Sequence, residues 1–113
     1  MRSQIEKAEA FVALHARPGA CVIPNPWDAG TAKLLAAMGF EALATTSLGF
    51  ANTLGTAEVS LEAIIENCRT IAAATDLPVS VDLENCGADE PEAAARAIGL
   101  AAEAGAVGGS PLS

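Results

Sequence analysis

The sequence predicts an α/β fold with a parallel sheet, and three observations carry that expectation. Short apolar runs alternate with helical segments along the whole chain, and parallel strands need such crossovers. The runs are apolar at consecutive positions rather than at every second one, which suits strands covered on both faces. A layout of helix end, glycine and immediate strand occurs twice, from Leu35 to Leu43 and from Leu100 to Val107, as a repeated βα unit requires. A doubly wound sheet and a (β/α)8 barrel both satisfy this rhythm. The first strand-to-helix turn carries no Gly-x-Gly-x-x-Gly, which removes support for a dinucleotide site and favours the barrel.

The elements follow in order. Ser3 to about Arg17 reads as a helix with Ile5, Ala8, Val12 and His15 at helical spacing, and Pro18-Gly19 stops it. Ala20-Cys21-Val22-Ile23 is the first expected strand, broken by Asn25-Pro26-Trp27-Asp28. Ala29 to Met38 returns to helix, with Gly39 as its stop. Phe40 to Ala44 is the second strand, followed by a connection rich in Ser, Gly, Asn and Thr from Thr45 to Val59. Ser60 caps a helix carrying Leu61, Ile64, Ile65, Cys68 and Ile71 on one face. Pro78 to Leu83 is the third strand. Asp89 and Glu92 form a capping-box arrangement for the next helix, Gly105 closes it, and Ala106-Val107 begins a fourth strand. The 113 residues leave room for one domain at most, expected as a partial barrel domain of about four βα units over 1–113.

Composition narrows the function classes. Aromatic residues are 4% of the chain with no Tyr, which argues against a base-stacking nucleic-acid binder. The net charge of −8 repels a phosphate backbone. No stretch approaches the roughly 18 apolar residues of a membrane span, and the N-terminus has no signal-type apolar core. Three cysteines, Cys21, Cys68 and Cys86, lack paired metal spacing and read as reduced cytosolic thiols, with Cys21 and Cys68 expected to be small buried hydrophobes. A cytoplasmic protein is the expectation.

The polar residues cluster at strand C-terminal ends, where parallel α/β folds build active sites. Asp82 and Glu84 are two apart and point the same way on an extended strand. Adjacent carboxylates repel unless a proton or cation bridges them, and Mg²⁺ is a suitable hard, oxygen-ligated ion. Asp82 making a loop hydrogen bond beside a solvated Glu84 is the competing account. Thr46-Ser47-Leu48-Gly49 offers two hydroxyls and closely spaced N–H groups that can cradle a carboxylate or enolate oxygen, or else form an ordinary Ser/Thr turn. Asp28 sits where a helix N-cap belongs, Trp27 reads as packing, and His15, on the leading helix, reads as structural.

These pieces together resemble the phosphoenolpyruvate mutase/isocitrate lyase superfamily, in particular its 2-methylisocitrate-lyase-like and phosphonomutase-like members. The resemblance runs from Phe11 to Ser110. It rests on Leu14-His15, on Ile23-Pro24-Asn25-Pro26-Trp27-Asp28-Ala29-Gly30-Thr31-Ala32, on Ala44-Thr45-Thr46-Ser47-Leu48-Gly49, and on Leu77-Pro78-Val79-Ser80-Val81-Asp82-Leu83-Glu84-Asn85. It implies the N-terminal half of a TIM-type barrel and Mg²⁺-dependent lyase or mutase chemistry on a small 2-oxo acid or phosphonate, cleaving or rearranging a C–C or P–C bond through an enolate. By that resemblance Asp82 binds Mg²⁺ and Glu84 is the second acid, acting through metal-bound water. Thr46, Ser47 and Leu48 hold the carboxylate and enolate oxygens, and Glu58 falls near an Asp of the family's gating loop. Full-length relatives are expected to be homo-oligomers.

The sequence also departs from the family. Relatives continue into Ile-Glu-Asp where this chain has Pro111-Leu112-Ser113 after Ser110. The loop that bears the lyases' catalytic Cys lies in the half of the barrel expected to be absent, so no catalytic residue is assigned. Cys86 stands where relatives have Gly. A non-catalytic fragment, or a small α/β module needing a partner to complete its sheet, is the alternative to an enzyme.

Overall fold

The computed structural model describes residues 2–19, 21–83 and 91–110. Ser3 begins the chain's first helix, α1 (Gln4–Ala16), with a capping box. Its hydroxyl accepts from the Glu6 N–H at 3.2 Å, and the Ser3 N–H donates to Glu6 Oε1 at 2.9 Å, satisfying two end groups at once. Those two Ser3 bonds hold the Glu6 carboxyl below its ordinary range.

The buried side of α1 is not the stripe expected from its apolar spacing. Ile5 and Val12 are 74% and 69% exposed, whereas Lys7 and Leu14 are buried and Phe11 half-buried. Residues 7, 11 and 14 also share a helical face, and Lys7 decides between the two stripes. Its ammonium donates to the carbonyls of Ala72 at 2.9 Å and Thr75 at 3.0 Å. Gln4 adds bonds to the carbonyls of Ala102 at 2.7 Å and Ala106 at 2.9 Å. Two polar side chains thus dock α1 on the C-terminal ends of two later helices. His15 Nδ1 donates to the Phe11 carbonyl at 2.8 Å, with its ring edge-on to that of Phe11.

Among its described residues, Cys21 to Ile23, the first expected strand forms no ladder. Cys21 and Val22 are exposed, so Cys21 is not the buried hydrophobe expected. The segment meets its neighbour through the Ala44 N–H to the Pro24 carbonyl at 3.0 Å and through Asn25 Nδ2 to the Ala44 carbonyl at 3.0 Å. Pro24 and Pro26 have no N–H to offer in return.

The remaining elements alternate as the sequence suggests. Asp28 caps α2 (Ala29–Ala37), accepting from the Thr31 N–H at 2.8 Å and the Thr31 hydroxyl at 2.6 Å. These bonds hold its carboxyl below the usual range and assign Asp28 to capping. β1 (Leu43–Ala44) follows, starting three residues after Phe40, where the second strand is expected to begin. The connection from Thr45 to Val59, expected as a loop, instead contains α3 (Ser47–Leu54), capped by Thr46 and ended by Gly55 at φ +69°. Ser60 caps α4 (Leu61–Ala74), which buries Ile64, Ile65, Cys68 and Ile71 as expected. β2 (Val79–Asp82), α5 (Pro91–Glu103) and β3 (Gly108–Ser110) complete the order. The fourth strand therefore begins two residues later than expected. The expected cap at Asp89 lies outside the described residues.

The two helix-Gly-strand junctions are built alike. Gly39 and Gly105 have φ of +98° and +109°, the left-handed region that favours glycine. Each donates to the carbonyl three residues back, Ala36 at 3.1 Å and Ala102 at 3.0 Å.

Among the described residues the sheet is three parallel strands in sequence order, with Ala44 opposite Ser80 and Asp82 opposite Ser110. Along β2 burial alternates. Val79 and Val81 are fully buried in a core with Leu43, Leu83, Ile64, Cys68, Ile71, Ala97 and Ala101. Ser80 and Asp82, on the opposite face, are half-buried. At the N-terminal end of that face the Phe11 ring sits against Gly108, where an added Cβ would come within 3.1 Å of it. The strand is therefore a one-sided apolar strand with a polar inner face, not one buried in apolar contacts on both sides.

Candidate active site at the strand C-terminal ends

Asp82 is the last residue of β2, and register places it beside the end of β1. The ladder ends there in an unusual way. The Thr45 N–H donates to the Ser80 carbonyl at 2.8 Å, and the Asp82 N–H then donates to the Thr45 hydroxyl at 3.0 Å. A side-chain oxygen takes the place of the next carbonyl, freeing the chain after Thr45 to turn into α3. Thr45 is buried, and it is a site-building residue that sequence reasoning passed over in favour of its neighbours. Its position in the Thr45-Thr46-Ser47 run was the available signal.

The turn brings Ser47 onto Asp82. Ser47 is buried at the first position of α3, and its hydroxyl donates to Asp82 Oδ2 at 2.9 Å. The bond joins residues 35 apart in sequence. Thr46 caps the helix, its hydroxyl accepting from the Gly49 N–H at 3.3 Å. The regular ladder starts only with the Phe50 N–H to the Thr46 carbonyl at 3.0 Å, so the N–H groups of Ser47 and Leu48 belong to the first turn, whose donors and partial positive charge suit an anion. The Leu48 side chain is 69% exposed, which leaves its N–H as its contribution there.

Of the residues expected at the site, the structure brings together Thr46, Ser47, Leu48 and Asp82. Glu84 and Cys86 lie outside the described residues. Glu58 is exposed in the segment between α3 and α4, where its N–H and carbonyl both meet the Thr56 hydroxyl. Asn67 was also missed. It is a buried amide on the otherwise apolar face of α4, and its Nδ2 donates to the Trp27 carbonyl at 3.0 Å. A polar residue three positions after Ile64 and one before Cys68 was the signal.

For a metal, the described residues contain no cluster of three His, Cys, Asp or Glu side chains. Among the described residues Asp82 presents a carboxylate at the strand end, oriented by Ser47. Magnesium keeps several waters and takes one or two carboxylates rather than a full protein cage, so this hard oxygen donor fits it.

Comparison with known proteins decides the family. The family model described as phosphoenolpyruvate phosphomutase matches residues 11–110. The chain belongs to that family. It is 58% identical to a protein from Burkholderia cenocepacia J2315 provisionally described as a lyase/mutase, with a TM-score of 0.92 over 94% of this chain and 38% of that one. It is 38% identical to a second protein of that organism, provisionally described as a phosphonomutase, with a TM-score of 0.89 over 95% of this chain and 43% of the other. A 2,3-dimethylmalate lyase of the PEP mutase/isocitrate lyase superfamily, 23% identical, shares the fold at a TM-score of 0.81. An uncharacterised curated protein of Mycobacterium tuberculosis is 35% identical over 98 residues, 85% of this chain. The chain spans about 38% of the length of that curated relative. Its parallel α/β fold is thus the N-terminal portion of a TIM-type barrel, and its superfamily is one of lyases and mutases. No helix among the described residues is long and apolar enough to cross a membrane.

Proposed function

We propose that the phosphoenolpyruvate phosphomutase-family chain supplies the cation-binding and carboxylate-holding part of a lyase or mutase site for a small 2-oxo acid or phosphonate. The observation that supports this most directly is the Ser47–Asp82 hydrogen bond, which sets an oriented carboxylate against a helix N-terminal turn. Asp82 would hold Mg²⁺, with Glu84 as the second acid on the strength of the family resemblance. A bound Mg²⁺ supplies Lewis-acid stabilisation for negative charge developing on a carbonyl oxygen. The chain's own groups divide the remaining work. Ser47 keeps Asp82 in one rotamer by donating to Oδ2. Thr45 fixes the Asp82 backbone. Thr46 caps the turn, and the N–H groups of Ser47 and Leu48 are the donors for a substrate carboxylate or enolate oxygen. A cytoplasmic location and a homo-oligomeric full-length protein accompany this reading.

Calorimetric titration of the 113-residue chain with Mg²⁺ and oxalate, a mimic of the enolate of a 2-oxo acid, tests the proposal. Oxalate binding that requires Mg²⁺ and disappears in Asp82→Ala is the expected result. Oxalate binding without Mg²⁺, or equal binding by Asp82→Ala, refutes the metal assignment. No binding under any condition favours the alternative of a non-catalytic module that needs a partner to complete its sheet.

A further inference from the structure

We infer that Trp27 is a positioning residue for the α3 N-terminal turn, holding it against Asp82 by wedging its indole onto Gly49. This rests on the proposed role of that turn in binding an anion. Gly49 occupies the third position of an eight-residue helix, where glycine is destabilising relative to alanine. Its φ is not in the left-handed region, so conformation does not explain the glycine. Space does. An ideal Cβ built on Gly49 would overlap the Trp27 Nε1 and Cδ1 atoms and lie 2.8 Å from Thr46 Cγ2. The indole edge and the capping threonine thus occupy the volume that any larger residue would need.

The indole can act as a wedge because its backbone is held from two helices. The Trp27 N–H donates to the Thr31 hydroxyl of α2 at 3.0 Å. The Trp27 carbonyl accepts from the buried Asn67 amide of α4 at 3.0 Å. Pro26, immediately before it, is fully buried. Trp27 itself is 44% exposed, so core filling does not account for this anchoring. What the anchoring fixes is the position of Gly49, whose N–H carries the Thr46 cap. Through that cap the first turn, including Ser47 with its bond to Asp82, is held in place. Trp27 therefore acts through the turn and not on the substrate.

Amide hydrogen exchange and oxalate titration, on the full chain and on Trp27→Ala, Trp27→Phe and Gly49→Ala, test the inference together. In Trp27→Ala the amides of Gly49 and Phe50 are expected to exchange about tenfold faster or more, while those of Ile64 to Ala72 in α4 keep their protection. Trp27→Phe restores part of that protection. Gly49→Ala loosens the same amides, and adding Trp27→Ala to it relieves the clash, so the two changes are strongly non-additive. In the presence of Mg²⁺, oxalate affinity falls about tenfold in Trp27→Ala and recovers in Trp27→Phe. As the chain's only tryptophan, Trp27 also reports binding at the turn by its emission. Unchanged exchange at Gly49 and Phe50 in Trp27→Ala, or additive effects of the two substitutions, would overturn the positioning role. If Trp27→Ala loses α4 protection as well, Trp27→Phe and Gly49→Ala decide by the same criteria. If the unsubstituted chain binds no oxalate, the proposed function fails while the exchange results still decide the role of Trp27.

Discussion

The Ser47–Asp82 contact should appear as a measurable coupling energy. Ser47 is buried, Asp82 is half-buried, and the 2.9 Å separation lies in the normal range for a hydroxyl donor. A hydrogen bond to a charged group contributes about 1.5–3 kcal/mol, and the partial exposure of Asp82 places this one at the lower end, about 1.5–2 kcal/mol. Asp82 has further interactions, among them its N–H bond to Thr45, so a single substitution would mix several effects. A double-mutant cycle of Ser47→Ala and Asp82→Ala, followed by urea unfolding with far-ultraviolet circular dichroism, removes the unshared ones. A coupling within about 0.5 kcal/mol of zero is what independent sites give, and it would refute the claim that this bond joins the two strand ends. The same four proteins then report on the ligand. If Mg²⁺ and oxalate bind the folded chain, a hundredfold excess over Kd stabilises it by about 2.7 kcal/mol, and the gain should be absent in both proteins that lack Asp82.

Two further predictions concern groups that hold the fold beneath the site. Burial pushes the Cys68 thiol up from 9.0 to about 11. The unfolded chain therefore loses that proton first, and stability falls as pH rises from 9 toward 11, by about 3 kcal/mol at 1.36 kcal/mol per unit; Cys68→Ala, compared across the same pH range, should lack this component of the fall. Lys7→Met should cost about 1–3 kcal/mol in urea unfolding at neutral pH, because two buried carbonyls, Ala72 and Thr75, lose their donor. Burial also holds the Lys7 ammonium below its ordinary 10.5, against an opposing pull from Asp76. As pH approaches 10.5 the unfolded chain keeps a proton that the folded chain has lost, so this group's contribution to stability rises with pH. Lys7→Met should lack that rise; an unchanged difference between the two proteins from pH 8 to 10.5 would refute it.

Where the sequence was legible, a single physical rule governed the segment. Ser60 followed by Leu61, Ile64, Ile65, Cys68 and Ile71 specifies one cap and one apolar stripe, and α4 follows both. Gly39 and Gly105 end helices in the left-handed region because little else fits there. Legibility failed where two rules competed. The stripe at 5, 8, 12 and 15 and the stripe at 7, 11 and 14 both fit a helix, and hydropathy cannot foresee that Lys7 would find two carbonyls to pay for its burial. The run from Cys21 to Ile23 is apolar enough for a strand, but the prolines that follow cannot donate to a ladder. The residues of α3 have the composition of a loop. Their helix depends on the Thr46 cap, on Gly55, and on the indole packed against Gly49, a contact with a residue 22 positions earlier in the sequence.

The candidate site divides in the same way. Asp82 and the Thr46-Ser47-Leu48 segment could each be picked out locally, but their meeting depends on register. With Ala44 opposite Ser80, the Asp82 N–H reaches Thr45 and the chain turns into α3 at the height of the carboxylate. A slip of one residue would carry Asp82 to the face occupied by Val79 and Val81, where an ionised carboxylate would be buried among apolar side chains. Asp82 therefore opposes the wrong register as well as serving the right one. Thr45 contributes similarly, since its hydroxyl takes the N–H that a slipped ladder would have to satisfy elsewhere. The residue proposed to hold the metal, Asp82, and the residue that fixes its backbone, Thr45, thus also terminate the sheet correctly. Thr45→Val should accordingly lower stability and, in the presence of Mg²⁺, oxalate affinity together, by about 1 kcal/mol or more each for the one lost hydrogen bond. Loss of stability with unchanged affinity would separate the two roles.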